Sequence, residues 1–254
     1  MKKFKKKEAK KENININDFI EKILKEDDVN KKISMISSLK NSFSSKQITD
    51  IITNAIKSNN PRFLFDLVLF FNTKLSSEQR NLIIFGIINT KDARYIYEIT
   101  RVYSSVLTET EKKALIAGII YTGDAQYIYS VAYIFYNTLS DEDRLAIIVG
   151  MLKTNNIKYI YQLANTLNFS LTDEERDLFI DKLVEINDPH YLFQISKTFI
   201  NHLNNNQLNL IIDSIAASGE IEYLEKLKVL FENKEEEIDK QIAIQRTRKM
   251  EENK

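Results

Sequence analysis

One spacing constrains this chain more than anything else in it. Leu75, Leu107, Leu139, Leu171 and Leu203 recur every 32 residues without insertion, and Phe43 sits one period earlier. A fixed period between roughly 20 and 50 residues means stacked supersecondary units, each too small to bury its apolar face alone. The 254 residues therefore count repeats rather than independent globular domains.

Numbered from the residue after the leucine, position 1 is Ser44, Ser76, Thr108, Ser140, Thr172 and Asn204. Position 4 is Gln47, Gln79, Glu111, Asp143, Glu175 and Gln207. Ser/Thr followed three residues later by Glu/Gln is the capping box, which satisfies orphan amides at a helix start, so a helix A begins at each of these points. Its apolar stripe falls at positions 8, 9, 12 and 13, as in Ile83, Ile84, Ile87 and Ile88, the signature of a helix with one buried face. Position 16 (Asn59, Lys91, Gly123, Asn155, Asn187, Gly219) is mostly occupied by residues that accept the left-handed conformation ending a helix. Position 17 (Asn60, Asp92, Asp124, Asn156, Asp188, Glu220) supplies new N-caps, and Pro61 and Pro189 follow at the first helical residue. Helix B then carries an aromatic at position 20, aliphatics at 21 and mostly at 24, and a bulky group at 28. Position 20 reads as core because every unit from Phe63 to Tyr223 fills it with an aromatic ring.

All five glycines and both prolines fall in phase, at positions 11, 16 and 18. Glycine within a helix costs about 1 kcal/mol relative to alanine, so Gly86, Gly118 and Gly150 at position 11 are expected where another helix backbone comes close. The unit is a helix–turn–helix, and the expected fold is all-α, an α-solenoid of about seven 32-residue repeats. Four segments follow: a basic disordered tail at 1–12, a degenerate capping repeat at 13–43, six helical hairpins at 44–234 and a polar helical extension at 235–254. In the first unit Lys31 and Lys32 replace the aromatic–aliphatic pair, as suits a polar cap. At the other end helix B of the last unit is expected to run on through Glu235 toward Met250.

Over residues 13–234 the pattern resembles the HEAT and tetratricopeptide class of helical-hairpin repeats. The chain has no Trp and no terminal Pro of the tetratricopeptide pattern. The resemblance implies a ligand-binding scaffold and carries over no individual functional residue.

Composition narrows the chemistry. With no cysteine there is no disulfide framework, thiolate nucleophile or thiolate-ligated metal. The basic start runs into more Lys and Glu, not an apolar signal segment, and no run approaches the roughly 18 apolar residues of a membrane span. A soluble, cytoplasmic protein without membrane contact is expected. His190 and His202 lack a metal-ligand neighbour at i+4, and no nucleophile elbow, Walker loop or dinucleotide fingerprint is present. Asp141-Glu142 and Asp173-Glu174-Glu175 lie in the first turn of helix A, where the helix dipole favours negative charge. No catalytic residue, cofactor or metal is expected.

Position 22 departs from a narrow core stripe: Phe65, Tyr97, Tyr129, Tyr161 and Phe193, then Glu225. It lies about 200° around the helix from position 20. Either helix B is sandwiched, with position 22 against a neighbouring unit, or the rings form an exposed ladder able to grip an extended peptide or stack bases. Three roles remain open. The first is a non-catalytic adaptor that binds another protein through these rings and variable residues at positions 19, 23 and 26. The second is a nucleic-acid binder using the Lys-rich tail with Arg62, Arg94, Arg101 and Lys158 on phosphates. The third is a self-associating structural component. The adaptor is the preferred reading, because seven Lys against Glu8 and Glu12 in residues 1–12 leave the rest of a neutral chain mildly acidic.

Overall fold

The computed structural model describes residues 16–39 and 42–252, and among them it has fifteen α-helices and no strand. The basic segment 1–12 lies outside the described residues, as do 13–15 and 40–41 of the first unit and 253–254 at the C-terminus. Helices of the A type are α1 (Ile16–Lys25), α3 (Ser45–Lys57), α5 (Ser77–Thr90), α7 (Glu109–Thr122), α9 (Asp141–Lys153), α11 (Asp173–Ile186) and α13 (Asn205–Ser218). Between them run the B helices α2 (Val29–Ser38), α4 (Pro61–Phe71), α6 (Ala93–Tyr103), α8 (Ala125–Phe135), α10 (Ile157–Leu167), α12 (Pro189–Thr198) and α14 (Ile221–Leu230). The chain closes on α15 (Glu235–Glu252).

Two compact units are formed, Met1–Tyr95 and Ile96–Lys254. In the first, α1 packs on α2 and α3, α2 packs on α4, and both α3 and α4 pack on α5. In the second, α7, α9, α11 and α13 pack in succession, as do α8, α10, α12 and α14, and neighbours in the two series pack on each other. This unit is therefore an A layer against a B layer, with the core between them.

Local chemistry accounts for the helix ends. Both halves of the capping box form at Ser44/Gln47, Ser76/Gln79, Thr108/Glu111, Thr172/Glu175 and Asn204/Gln207. At Ser140 the shorter Asp143 leaves only the forward half, its amide donating to Ser140 Oγ at 3.1 Å. All six residues at position 16 have positive φ, from 49° at Asn59 to 74° at Gly219. Lys91 is the one without a short side chain to ease that conformation, with φ 59°. Lys91→Gly is therefore expected to raise stability by about 0.5–1 kcal/mol, seen as a thermal midpoint a few degrees higher. Asn155→Gly should change it less, and a lower midpoint for Lys91→Gly would refute the argument.

The core stripe is narrower than the sequence implies. Positions 8, 9 and 12 of the A helices are buried, as in Ile147, Ile148 and Met151, but position 13 is half-buried at Ile56, Ile88, Ile120, Leu152 and Val184. In the B helices the fully buried residue is position 21 (Leu64, Ile96, Ile128, Ile160, Leu192, Leu224), not position 20, where only Phe63 is buried. With position 21 aimed at the A layer, positions 20 and 22 are each rotated about 100° to either side and face neighbouring B helices.

Gly86 and Gly150 at position 11 are crowded by side chains, not by a backbone. A Cβ on Gly86 would come 2.9 Å from Ile56 Cγ1, and one on Gly150 would come 2.7 Å from Ile120 Cγ2. In both cases the intruder is the position-13 isoleucine of the preceding A helix.

The position-4 residue also does something its capping role does not reveal: it reaches back to the preceding A helix. Gln47 Nε2 donates to Asn17 Oδ1 at 3.0 Å, Gln79 Nε2 donates to Ser45 O at 2.8 Å and Thr49 Oγ1 at 3.0 Å, and Gln207 Nε2 donates to Asp177 Oδ1. Glu175 instead accepts both of its bonds at 3.0 Å from Arg144 Nε.

The terminal elements differ from expectation in one respect. Helix α14 stops at Leu230, a 3₁₀ turn spans Glu232–Lys234, and α15 is a separate helix rather than an extension of α14. It packs on both α13 and α14, which places it in the A layer. Ile238, Ile242 and Gln245 form its buried stripe, and Arg246 pairs with Glu225 at 2.9 Å. In the first hairpin Lys32 occupies the buried position 21. Its ammonium donates to Asn54 Oδ1 at 2.9 Å and lies 5.5 Å from the Phe63 ring centre, which offsets the cost of burying the charge.

Candidate partner-binding surfaces

The position-22 rings are half-buried, and each meets the position-20 ring of the next B helix. Phe65 lies 5.9 Å from Tyr95 within Met1–Tyr95. Within Ile96–Lys254 the pairs are Tyr97–Tyr127 at 5.8 Å, Tyr129–Tyr159 at 6.0 Å, Tyr161–Tyr191 at 5.8 Å and Phe193–Tyr223 at 6.1 Å. These rings are tilted, so each shows an edge and part of a face while helping to hold adjacent helices together. Tyr129 O–H is within 3.3 Å of Thr166 Oγ1. From Tyr129 the aromatic surface continues outward to Tyr133 and then to Tyr136, which stack at 5.8 Å and 20° and are 57% and 44% exposed.

The four candidate cations divide by what holds them. Arg62 lies 3.7 Å from Asp66, whose carboxyl is pushed above its ordinary range by burial, with Arg62 opposing. Arg101 donates to Glu98 at 2.7 Å, a bond that raises the guanidinium above its ordinary value. Both are thus tied to carboxylates of their own helices. Arg94 lies over Tyr95 at 5.8 Å and Lys158 over Tyr159 at 5.4 Å, so only these two extend the aromatic surface in their respective units.

The acidic clusters at the helix starts have structural partners. Asp141 binds Arg144 at 2.9 Å, Asp173 binds Arg176 at 2.6 Å, and Glu142 binds Lys113 at 2.6 Å. His190 is exposed, with its Nδ1 3.3 Å from the Tyr223 hydroxyl, and His202 is exposed in the turn before α13.

A second surface lies on the outside of the A layer. Between α7 and α9 runs an open apolar groove of about 680 Å³, lined by Ile116, Ala117, Ile120, Tyr121, Leu145, Ala146 and Val149. Lys113, Glu142, Asp143 and Lys153 also line it. Tyr121, Leu145 and Val149 are 69%, 44% and 37% exposed. In the other unit, α5 carries exposed Leu82 and Phe85. The signal was present in the sequence: residues 114–121 (Ala-Leu-Ile-Ala-Gly-Ile-Ile-Tyr) and 145–152 (Leu-Ala-Ile-Ile-Val-Gly-Met-Leu) contain no charged residue. A stripe for one buried face needs only half of each run, so the rest must lie outside the core.

No protein-family model matches the chain, and no curated protein matches it. A solved structure described as "Computational Design of Self-Assembling Cyclic Protein Homooligomers" aligns at 16% identity over 94% of this chain and 93% of its own, with a TM-score of 0.15. At that score the likeness carries no argument. Among the described residues, no helix is long and apolar enough to cross a membrane.

Proposed function

We propose that the stacked helices form an α-solenoid, and that the chain is a non-catalytic scaffold that binds another protein. The observation that carries this reading is the A-layer groove of α7 and α9, mostly apolar in its lining and open to solvent. Exposed apolar surface forgoes about 25 cal/mol per Å² that burial would return, and a contiguous patch of it marks an interaction site. A groove between two helices, mostly apolar but with Lys113, Glu142, Asp143 and Lys153 among its lining residues, suits the apolar stripe of a partner helix that carries a few charges. The engagement of Arg62 by Asp66 and of Arg101 by Glu98 favours a protein partner over a phosphate backbone, which needs cations free to neutralise it.

The test is Leu145→Glu with Val149→Glu, two exposed positions on the groove wall. Tagged wild-type protein incubated with nuclease-treated lysate of its source cells should retain a discrete protein. The double variant should lose it while keeping its circular dichroism and thermal midpoint. Retention of the same protein by the variant would remove the groove from the interaction, and retention of nothing by the wild type would remove the scaffold reading.

A further inference from the structure

We infer that the tyrosine face of the B layer in Ile96–Lys254 binds an extended, acidic polypeptide segment. The inference rests on charge segregation and is independent of the α7–α9 groove. Helices α8, α10 and α12 contain no Asp or Glu within their bounds, the nearest being the N-caps Asp124 and Asp188, whose side chains accept from the first-turn amides; their Lys, Arg and His residues are Lys158, Lys197 and His190. The A helices packed against them do the opposite, for α9 opens Asp-Glu-Asp and α11 opens Asp-Glu-Glu. A purely solvated face has no reason to exclude carboxylates from three helices in succession; a face that receives carboxylates does.

The two lysines sit where such a segment would run. Lys158 Nζ is 5.4 Å from the Tyr159 ring centre and Lys197 Nζ is 5.8 Å from that of Phe193, and neither has a carboxylate in ion-pairing range among the described residues. Tyr129 and Tyr133 on α8 and Tyr136 just past its end continue the same surface, and the two outer rings are exposed. The spacing suits an extended chain. Packed helices lie about 9 Å apart, and one turn of polyproline II, three residues long, advances by about 9 Å. A segment crossing the B helices would therefore present an equivalent side chain to each helix every three residues. Aromatic rims are the usual receptors for that conformation. Two lysines spread over three helices are too few to neutralise a nucleic-acid backbone, although the rings alone could stack on bases.

The experiment is selection of a random 12-residue phage-displayed peptide library on the full chain, followed by fluorescence anisotropy with the best labelled peptide. The selected peptides should carry net negative charge with proline or aromatic residues. Binding should weaken with added salt and fall at least ten-fold in K158E/K197E. The milder K158Q/K197Q should give a smaller loss in the same direction, with circular dichroism unchanged in both. Tyr133→Ser with Tyr136→Ser should also weaken binding, whereas Leu145→Glu with Val149→Glu should leave it unaltered. Neutral or basic selected peptides, no selection at all, or an affinity indifferent to Lys158 and Lys197 would overturn the inference. So would a labelled dT15 oligonucleotide that binds more tightly than any selected peptide, which would assign the face to single strands.

Discussion

Arg144→Ala is expected to cost the Ile96–Lys254 unit about 3 kcal/mol, more than any other single charge removed from it. The guanidinium is almost fully buried, and its Nε donates to both carboxylate oxygens of Glu175 at 3.0 Å, itself buried, while Nη1 reaches Asp141 at 2.9 Å. Burial pushes the guanidinium down, but the bonds from Glu175 and Asp141 outweigh it and hold the group above its ordinary value. Truncation leaves the Glu175 carboxyl buried with, among the described residues, the Thr172 amide at 2.9 Å as its remaining donor. The remedy follows from the neighbours: Gln79 and Gln207 perform the same capping and bridging without charge. Glu175→Gln in the Arg144→Met background should therefore restore most of the loss, since an apolar replacement for a buried pair is often neutral. Asp141→Ala, which removes only the exposed partner, should cost less than about 1 kcal/mol. Urea midpoints would decide the matter, and an Arg144→Ala loss no larger than that of Asp141→Ala would show that the pair behaves as a surface bridge.

Gly150→Leu should be comparably damaging, at about 3 kcal/mol, because the space beyond Gly150 is already filled. Its added Cβ would lie 2.7 Å from Ile120 Cγ2 and 3.0 Å from Cγ1. Those atoms branch directly from a β-carbon whose rotamer the helix restricts, so they cannot swing clear as the end of a long side chain would. Alanine gives a cleaner comparison because two effects of opposite sign meet. Gly150→Ala gains about 1 kcal/mol of helix propensity and pays for it in steric overlap, with a net loss expected in the wild-type background. Once Ile120→Ala has removed both γ-carbons, the same Gly150→Ala should stabilise the protein. That reversal of sign, read from thermal midpoints of the four-member cycle, is the expected result. A Gly150→Ala effect of the same sign in both backgrounds would mean that Ile120 is not what the glycine accommodates.

The helix boundaries were legible in the sequence because they depend on a few residues acting locally. Ser76 with Gln79, Asp124 and Gly123 each satisfy a neighbour two or three residues away, and the left-handed residues at position 16 need no tertiary partner. What sequence could not resolve was which flank of a helix faces what. An aromatic in every unit at position 20 resembles core, yet Ile160 is fully buried and Tyr159 beside it is not, because the rings are shared between adjacent B helices. Only knowledge of that packing distinguishes a sandwiched ring from a ladder rung, and the half-buried Tyr129 and Tyr161 are in part both. The exposed side of α9 was hidden for a different reason: Leu145 and Val149 look like more core until the stripe at 147, 148 and 151 is seen to be sufficient. The separation of α15 from α14 rests on a break at Phe231, φ −127° and ψ 74°, at an aromatic that sequence alone reads as helix interior.

The position-4 residues have a consequence for how the protein is made. Gln47, Gln79, Glu175 and Gln207 each close their helix start with one contact and bind a residue 30 to 34 positions upstream with another. During synthesis the upstream residue always leaves the ribosome first. Each newly emerged helix start therefore meets a partner that has already been translated, and none of these contacts waits for a distant C-terminal segment. Contacts of such short sequence separation favour fast local folding. The chain can be secured one turn of the repeat at a time, in the direction in which it is translated.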